Sequence, residues 1–169
     1  MEQICQQLAA VIADYRHGDV PQPDADHVRR WIDQFPGAVR EPLLTETLHV
    51  LTRTYIPKEQ VKMFLKGVAT NKKIVGDDPP AFWSGVRFLR LQQAGNSQKD
   101  MLALFDVALQ EACGLSIQDC GANPHTYFYL DDAVFSGGRV KGDLIRWIEA
   151  DAPKQAKVAV IAMAVHTLG

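Results

Sequence analysis

The sequence predicts an α/β protein in which a small parallel sheet follows a helical N-terminal region. Two observations support this fold class. Over residues 2–71 apolar side chains recur at helical spacing, and no strand pattern competes with them. Beyond residue 76, strand-like apolar runs alternate with amphipathic helical segments. Short connections between alternating strands and helices favour a parallel sheet.

Four helices are predicted in the front of the chain. Asp24 precedes the second helix and can cap it, and Pro57 suits the first turn of the fourth because no N–H partner is needed there. The four apolar stripes with helical spacing are Ile4, Leu8, Val11 and Tyr15; Val28, Trp31, Ile32 and Phe35; Leu44, Leu48, Leu51 and Tyr55; and Val61, Phe64, Leu65 and Val68.

A change of pattern marks the predicted domain boundary. Residues 76–80 read Gly-Asp-Asp-Pro-Pro, and two consecutive prolines oppose the continuation of a helix. We therefore predict an extended connector at this point. It separates a helical N-terminal region over residues 1–75 from an α/β domain over residues 76–169.

Three strands are predicted in the α/β domain, at residues 86–91, 126–130 and 157–165, because these runs are apolar and rich in β-branched or aromatic side chains. Ligands of parallel sheets bind at the carboxyl ends of the strands. The segments 94–98 and 131–139 follow the first two strands and are therefore the candidate binding loops.

Two amphipathic helices are predicted between the strands. The first carries Ser97 as its candidate N-cap and ends at Gly114, and the second has an apolar stripe that includes Leu144 and Trp147. Ser97 is also a candidate ligand contact, and the two roles are compatible.

The composition fits a soluble globular chain. Lys and Arg together number 18 against 20 Asp and Glu, so the net charge of −2 gives no general attraction to nucleic acid or membrane. The N-terminus lacks the pattern of a secretion signal, so a cytoplasmic location is expected. Cys5, Cys113 and Cys120 lack the spacing of metal ligands and are interpreted as reduced thiols.

The most informative motif lies at residues 127–140, which read Tyr-Phe-Tyr-Leu-Asp-Asp-Ala-Val-Phe-Ser-Gly-Gly-Arg-Val. An apolar strand is followed by two acids and then by Ser-Gly-Gly at the start of a helix. The glycines let backbone N–H groups turn towards a ligand, and the helix start adds partial positive charge for a phosphate. Carboxylates accept hydrogen bonds from ribose hydroxyls. The motif therefore predicts a sugar-phosphate site.

Residues 131–138, Asp-Asp-Ala-Val-Phe-Ser-Gly-Gly, resemble the phosphoribosyl-pyrophosphate fingerprint of type I phosphoribosyltransferases. With the Ala-Gly-Asn-Ser-Gln loop at 94–98 and the last strand, the pattern resembles phosphoribosyltransferase-like domains of bacterial conflict and anti-phage systems. The resemblance covers roughly residues 80–169. It implies a sheet of the phosphoribosyltransferase type that binds phosphoribosyl pyrophosphate or a related sugar phosphate or nucleotide.

The resemblance also implies roles for particular residues. Asp131 and Asp132 would contact the ribose hydroxyls of the donor, and we take them as the catalytic candidates. A magnesium ion, held mainly by ligand oxygens, is implied as well. The loop of Gly95, Asn96 and Ser97 would take the place of the pyrophosphate loop. The residues implied to wrap the 5′-phosphate are Ala133, Val134, Phe135, Ser136, Gly137, Gly138 and Arg139.

Two features depart from the family pattern. Arg139 stands where the family usually has Ser or Thr, so a guanidinium replaces a hydroxyl donor. Three predicted strands are also fewer than a phosphoribosyltransferase sheet normally contains. We therefore expect either a truncated chain or a protein whose sheet is completed by a partner that supplies strands.

Three functional hypotheses follow. The first is an enzyme that transfers ribose-5-phosphate to an unknown acceptor, in phage defence. The second is a non-catalytic sensor of a nucleotide or sugar phosphate. The third is an interaction module whose basic N-terminal helices, with Arg29 and Arg30, contact nucleic acid. A solvated helical face is the alternative interpretation of that basic region, because acids are interleaved with it. His166, at the end of the last strand, is either structural or close to a ligand.

Overall fold

The computed structural model describes residues 1–93, 95–124 and 126–166 and confirms the α/β class, with N-terminal helices and a small parallel sheet. Ala94, in the predicted loop after the first strand, lies outside the described residues. The chain divides into two compact units, Met1–Val61 and Lys62–Gly169. The predicted boundary between residues 75 and 76 falls inside the second unit. The division into a helical region over residues 1–75 and an α/β domain over residues 76–169 stays a prediction.

The first unit contains α1 (Glu2–Val11), α2 (Ala25–Ile32) and α3 (Gly37–Thr54). The predicted cap of α2 is confirmed, since Oδ1 of Asp24 accepts the N–H of His27 at 2.7 Å. The fourth predicted helix, α4 (Lys58–Thr70), starts directly after Pro57. The buried core of the first unit consists of Cys5, Leu8, Ala9, Val28, Ile32 and Leu44.

Basic side chains of the first unit take part in ion pairs. Arg29 pairs with both Glu2 and Asp26, and Nη1 of Arg40 lies 2.6 Å from Oδ1 of Asp33. These acids offset much of the local positive charge. The pairs favour a solvated helical face over a nucleic-acid surface, and contact with nucleic acid stays a prediction.

The predicted extended connector at residues 76–80 is wrong in its second half. After α5 (Lys72–Val75), the short helix α6 (Pro79–Ser84) begins, with both prolines in its first turn. Oδ1 of Asp78 accepts the N–H of Ala81 at 3.0 Å and caps this helix. A proline in the first turn loses no helical hydrogen bond, so the proline pair starts a helix here instead of preventing one.

Three parallel strands form the described sheet in the order β1 (Val86–Phe88), β2 (Thr126–Val134) and β3 (Lys157–Val165). The crossover from β1 to β2 contains α7 (Ser97–Cys113), and the crossover from β2 to β3 contains α8 (Gly138–Ala150). The predicted bounds of β3 are confirmed. Gly114 ends α7 as predicted, in the left-handed region with a φ of 66°.

The core of the second unit is centred on Trp83 of α6, which is fully buried. Its ring centroid lies 5.9 Å from that of Phe88, 5.1 Å from that of Phe105 and 5.1 Å from that of Phe128. On the other face of β2, the rings of Tyr127 and Trp147 lie 5.0 Å apart. Because neighbouring strand residues point to opposite faces, α7 and α8 cover opposite faces of β2.

Two strand bounds differ from the prediction. β1 ends at Phe88 instead of residue 91, because the N–H groups of Leu91 and Gln92 donate to Oε1 of Gln98 instead of to β2. β2 continues to Val134 instead of stopping at residue 130. Its pairing with β3 runs on to Val165, so the two acids lie within the strand and not in a loop.

β3 is one of the two edge strands of the described sheet, and its apolar sequence is typical of a strand covered on both sides. Val160 and Val165 are exposed. Completion of the sheet by a partner or a further segment stays a prediction. Within the described ranges, no helix is long and apolar enough to cross a membrane.

Candidate functional site

The residues predicted for the site line a single cleft of about 450 Å³ in the second unit. The N-terminal end of α7 and the residue before it contribute one wall, with Gly95. The end of β2 and the start of α8 contribute the other, from Asp131 to Arg139. The structure thus brings together two segments that lie more than 30 residues apart in the chain.

Asp131 is the buried member of the acidic pair, with only 2% of its surface exposed. The hydroxyl of Ser97 donates to its Oδ1 at 3.0 Å, and the N–H of Asp132 reaches the same oxygen at 3.1 Å. Burial raises the pKa of Asp131, because removal from water disfavours the charged form more than these two hydrogen bonds favour it. Because it accepts the hydrogen bond from Ser97, Asp131 joins the two walls of the cleft.

Asp132 is the exposed member of the pair. Its Oδ1 accepts the N–H of Ala133 at 2.7 Å, which holds the carboxylate beside the strand. Adjacent strand residues point to opposite faces, so the two acids have different surroundings despite being neighbours. Asp132 is therefore the carboxylate better placed to meet a ligand hydroxyl, and Asp131 the one better placed to hold the walls together.

The raised pKa of Asp131 gives the stability of the protein a pH dependence. The folded state keeps a proton on this carboxyl at pH values where the unfolded chain has lost it. The contribution of this proton to the free energy of unfolding is fully present below the unfolded pKa of about 3.9. It is lost as the pH rises through the raised pKa of Asp131 in the folded protein. Asp131→Asn is therefore expected to stabilise the protein more, relative to wild type, at pH 7 than at pH 4.

Urea denaturation of both proteins across that pH range measures the difference in free energy of unfolding. A difference that does not change with pH, or that changes in the opposite direction, would contradict the buried environment assigned to Asp131.

The prediction that Ser97 caps α7 is wrong. Asn96 occupies the N-cap position without a side-chain cap bond, and Ser97 is the first residue of the helix. The Ser97 hydroxyl instead lies 3.2 Å from Oε1 of Gln92 and 3.0 Å from Asp131. Its role in the fold is to connect the first wall of the cleft to β2.

Two glutamines that sequence reasoning missed hold the first wall in place. Oε1 of Gln92 accepts the N–H of Gln98 at 3.0 Å, and Oε1 of Gln98 accepts the N–H groups of Leu91 and Gln92 at 2.7 and 3.1 Å. The side-chain oxygen of each glutamine thus accepts hydrogen bonds from backbone N–H groups at or beside the other glutamine. The spacing of six residues carries no recognised motif, so the sequence alone gave no reason to single them out.

The start of α8 supplies the second wall. Gly137 is its N-cap, in the left-handed region with a φ of 70°, and has no side chain to cap the helix. Ser136 Oγ accepts the N–H of Gly138 at a long 3.4 Å. A helix start whose N-cap is glycine presents N–H groups and partial positive charge, the arrangement that favours an anion.

Arg139 extends from the start of α8 towards the opposite wall. A Cβ placed on Gly95, which has a φ of +90°, would lie 3.8 Å from Nη1 of Arg139. The guanidinium therefore lies close to the backbone of the first wall. A cation between the two walls makes the cleft suitable for an anion that contacts both of them.

A buried polar contact between β2 and α8 was also not predicted from sequence. The hydroxyl of Tyr129 donates to Oδ2 of Asp143 at 2.7 Å, and Asp143 pairs with Arg146. Burial and the bond to Asp143 both raise the pKa of Tyr129. The contact ties β2 to α8, and so fixes the second wall relative to the strand that carries the acids.

A metal ion would have few protein ligands in this cleft. Among the residues that the structure describes, no three His, Cys, Asp or Glu side chains cluster as a metal site. Mg²⁺ is commonly held by one or two carboxylates together with substrate phosphates, and the exposed Asp132 fits that mode. His166 does not line the cleft; its N–H donates to the carbonyl of Val134 at 2.8 Å.

The family model PRTase-CE matches residues 28–169 of the chain. The chain belongs to the PRTase-CE family. This family is phosphoribosyltransferase-like, which confirms the predicted resemblance. The match begins at Val28 and so includes helices of the N-terminal region, whereas the sequence resemblance covered only roughly residues 80–169. Neither the comparison with curated proteins nor that with solved structures finds a match.

Proposed function

We propose that this member of the PRTase-CE family binds phosphoribosyl pyrophosphate, or a related sugar phosphate, in the cleft and transfers ribose-5-phosphate to an acceptor. One observation carries the proposal. The hydrogen bond from Ser97 to Asp131 joins the candidate pyrophosphate loop to the acidic strand, and the start of α8, with Gly137 as its N-cap, lines the same cleft. Donors for phosphate and acceptors for ribose hydroxyls thus line one cleft.

The cleft residues would act mainly by positioning the donor. Asp132 would accept hydrogen bonds from ribose hydroxyls, while the start of α8 and Arg139 would hold the 5′-phosphate. Chemistry at the anomeric carbon passes through an oxocarbenium-like state, so rate enhancement comes from orientation and from stabilising the departing pyrophosphate. The backbone at Gly95 and Asn96 would face that leaving group.

We also propose that Mg²⁺ accompanies the donor, held by ligand oxygens and Asp132. When bound, it would offset the negative charge of the pyrophosphate. The exposure of Asp132 and the family's phosphoribosyltransferase-like character support this assignment. The proposed role in phage defence has its support in the sequence resemblance alone.

A sensor that binds the same ligand without turnover is the second candidate. The ionisable side chains that line the cleft, among the described residues, are Asp131, Asp132 and Arg139. Asp131 is engaged by Ser97, and His166 lies outside the lining. With Asp132 as the exposed carboxylate of the described lining, the cleft suits binding better than proton transfer.

Calorimetric titration of the chain with phosphoribosyl pyrophosphate and Mg²⁺ tests the proposed function. We expect wild type to bind and Arg139→Ala to bind about tenfold more weakly, because a hydrogen bond to a charged group is worth about 1.5–3 kcal/mol. Lys141→Ala, which removes a cation of the same helix outside the cleft lining, is the matched control and should bind like wild type.

Absence of heat release and of thermal protection in wild type would overturn the proposed ligand. Pyrophosphate release measured over a panel of acceptors separates the two candidates. Release with any acceptor identifies an enzyme, whereas binding without release favours the sensor.

A further inference from the structure

A second cavity, of about 320 Å³, lies next to the cleft in the second unit. Among the described residues, Gly95 lines both spaces, and the remaining lining residues differ. Leu102 of α7 and Ile117 contribute apolar surface, and both are largely buried. Its volume is within the usual range of small-molecule pockets, which starts at about 300 Å³. None of the roles given to the cleft uses this cavity.

A buried amide in the lining of this cavity has an unsatisfied donor. Gln98 is 3% exposed, and its Oε1 is fixed by the N–H groups of Leu91 and Gln92. Its Nε2 has no hydrogen-bond partner among the described residues. The two bonds to Oε1 fix which end of the amide is the donor, so a flip would not satisfy it. A buried donor without an acceptor is costly, and a ligand that brings an acceptor atom to this side of the cavity would satisfy it.

Charge in the lining of the cavity favours an anion. Arg90 and Lys99 are exposed and contribute two cations. The described carboxylate of the lining is Asp106, and it is already engaged. Its Oδ1 accepts the Ser116 hydroxyl at 2.9 Å and the N–H of Ile117 at 2.7 Å. These neutral donors hold Asp106 in place without removing its charge, so Arg90, Lys99 and Asp106 together give the described lining a net positive charge that favours an anion.

We propose that the second cavity is a binding site for a nucleoside monophosphate. The phosphate would pair with Arg90 and Lys99, and the base would lie on Leu102 and Ile117. A carbonyl oxygen or ring nitrogen of the base would accept the hydrogen bond that Gln98 Nε2 offers. A nucleoside monophosphate combines these three features in a molecule that suits the cavity, whereas inorganic phosphate offers only the first.

The experiment titrates the full chain with the four ribonucleoside 5′-monophosphates and follows backbone amide signals by NMR. We expect at least one of them to shift the signals of residues 99–103 and 117–118. The double variant Arg90→Gln, Lys99→Gln should weaken that binding about a hundredfold, since two charge-assisted contacts are lost. Lys154→Gln, an exposed lysine outside both linings, is the matched control and should leave affinity unchanged.

A second variant tests the amide. Gln98→Glu keeps an oxygen for the N–H groups of Leu91 and Gln92 but removes the nitrogen donor. We expect it to lose the binding at the second cavity while the start of α7 keeps its amide signals. Should this variant fail to fold, the double variant at Arg90 and Lys99 still decides, because both side chains are exposed.

Three results would overturn the second site. They are signal shifts confined to residues 131–140, no shifts with any of the four nucleotides, and affinity that the double variant leaves unchanged. The first of these would still leave the sugar-phosphate cleft intact. The titration with phosphoribosyl pyrophosphate tests that cleft separately.

Discussion

Asp132→Asn is expected to weaken binding of phosphoribosyl pyrophosphate by about tenfold or more without lowering the melting temperature. The exposed carboxylate would lose its charge, and hydrogen bonds from ribose hydroxyls to a charged acceptor are worth about 1.5–3 kcal/mol. The amide oxygen that remains can still accept the N–H of Ala133, so the strand should keep its structure. Calorimetric titration measures the affinity, and thermal unfolding measures the stability.

Asp131→Asn distinguishes the effect of the buried acid from that of the exposed one. The Asp131 side chain is buried and contacts Ser97. We therefore expect this variant to change the hydrogen bond between Ser97 and β2 as well as the affinity. Asp151→Asn, an exposed aspartate after the end of α8, is the matched control for removal of a charge. Unchanged affinity in Asp132→Asn would contradict the contact assigned to this carboxylate, even if the cleft still binds the ligand.

Trp83→Ala is expected to cost the second unit about 3–5 kcal/mol of unfolding free energy, the usual range for deletion of a fully buried aromatic side chain. The substitution removes ring contacts with Phe88, Phe105 and Phe128 at once, and the bond from Nε1 to the carbonyl of Ala69 at 2.8 Å. A domain is typically stable by only about 5–15 kcal/mol, so this variant should be close to unfolding. Urea denaturation measures the loss.

Trp83→Phe provides the comparison within the same position. It keeps an aromatic ring and loses the Nε1 donor, so it should cost less than the alanine variant. Because Trp83 does not line the cleft, the phenylalanine variant should also keep its affinity for phosphoribosyl pyrophosphate. A loss below about 1 kcal/mol for Trp83→Ala would contradict the central place of this side chain in the core.

The periodic parts of the fold could be predicted from sequence. The four front helices, the cap by Asp24, the stop of α7 at Gly114 and the bounds of β3 all follow from local patterns. Each of these depends on residues that are close together in the chain, whose propensities, caps and apolar spacing act locally. The grouping of Ser136, Gly137 and Gly138 at a helix start is likewise a local feature.

The strand bounds that differ from the prediction depend on contacts made outside each strand. β2 runs through the acids because β3 pairs with it, and β1 stops early because Gln98 takes over the backbone donors of Leu91 and Gln92. The proline pair differs for a local reason, because both prolines lie in the first turn of α6 and Asp78 caps that helix.

For the candidate site, the sequence indicated the residue types and the ligand class, because the order of strand, acids, glycines and helix is local. Tertiary structure decided the different surroundings of the two acids. Only packing buries Asp131 against Ser97 while leaving Asp132 exposed, since burial and hydrogen bonding between residues 34 positions apart depend on how the strands and helices assemble.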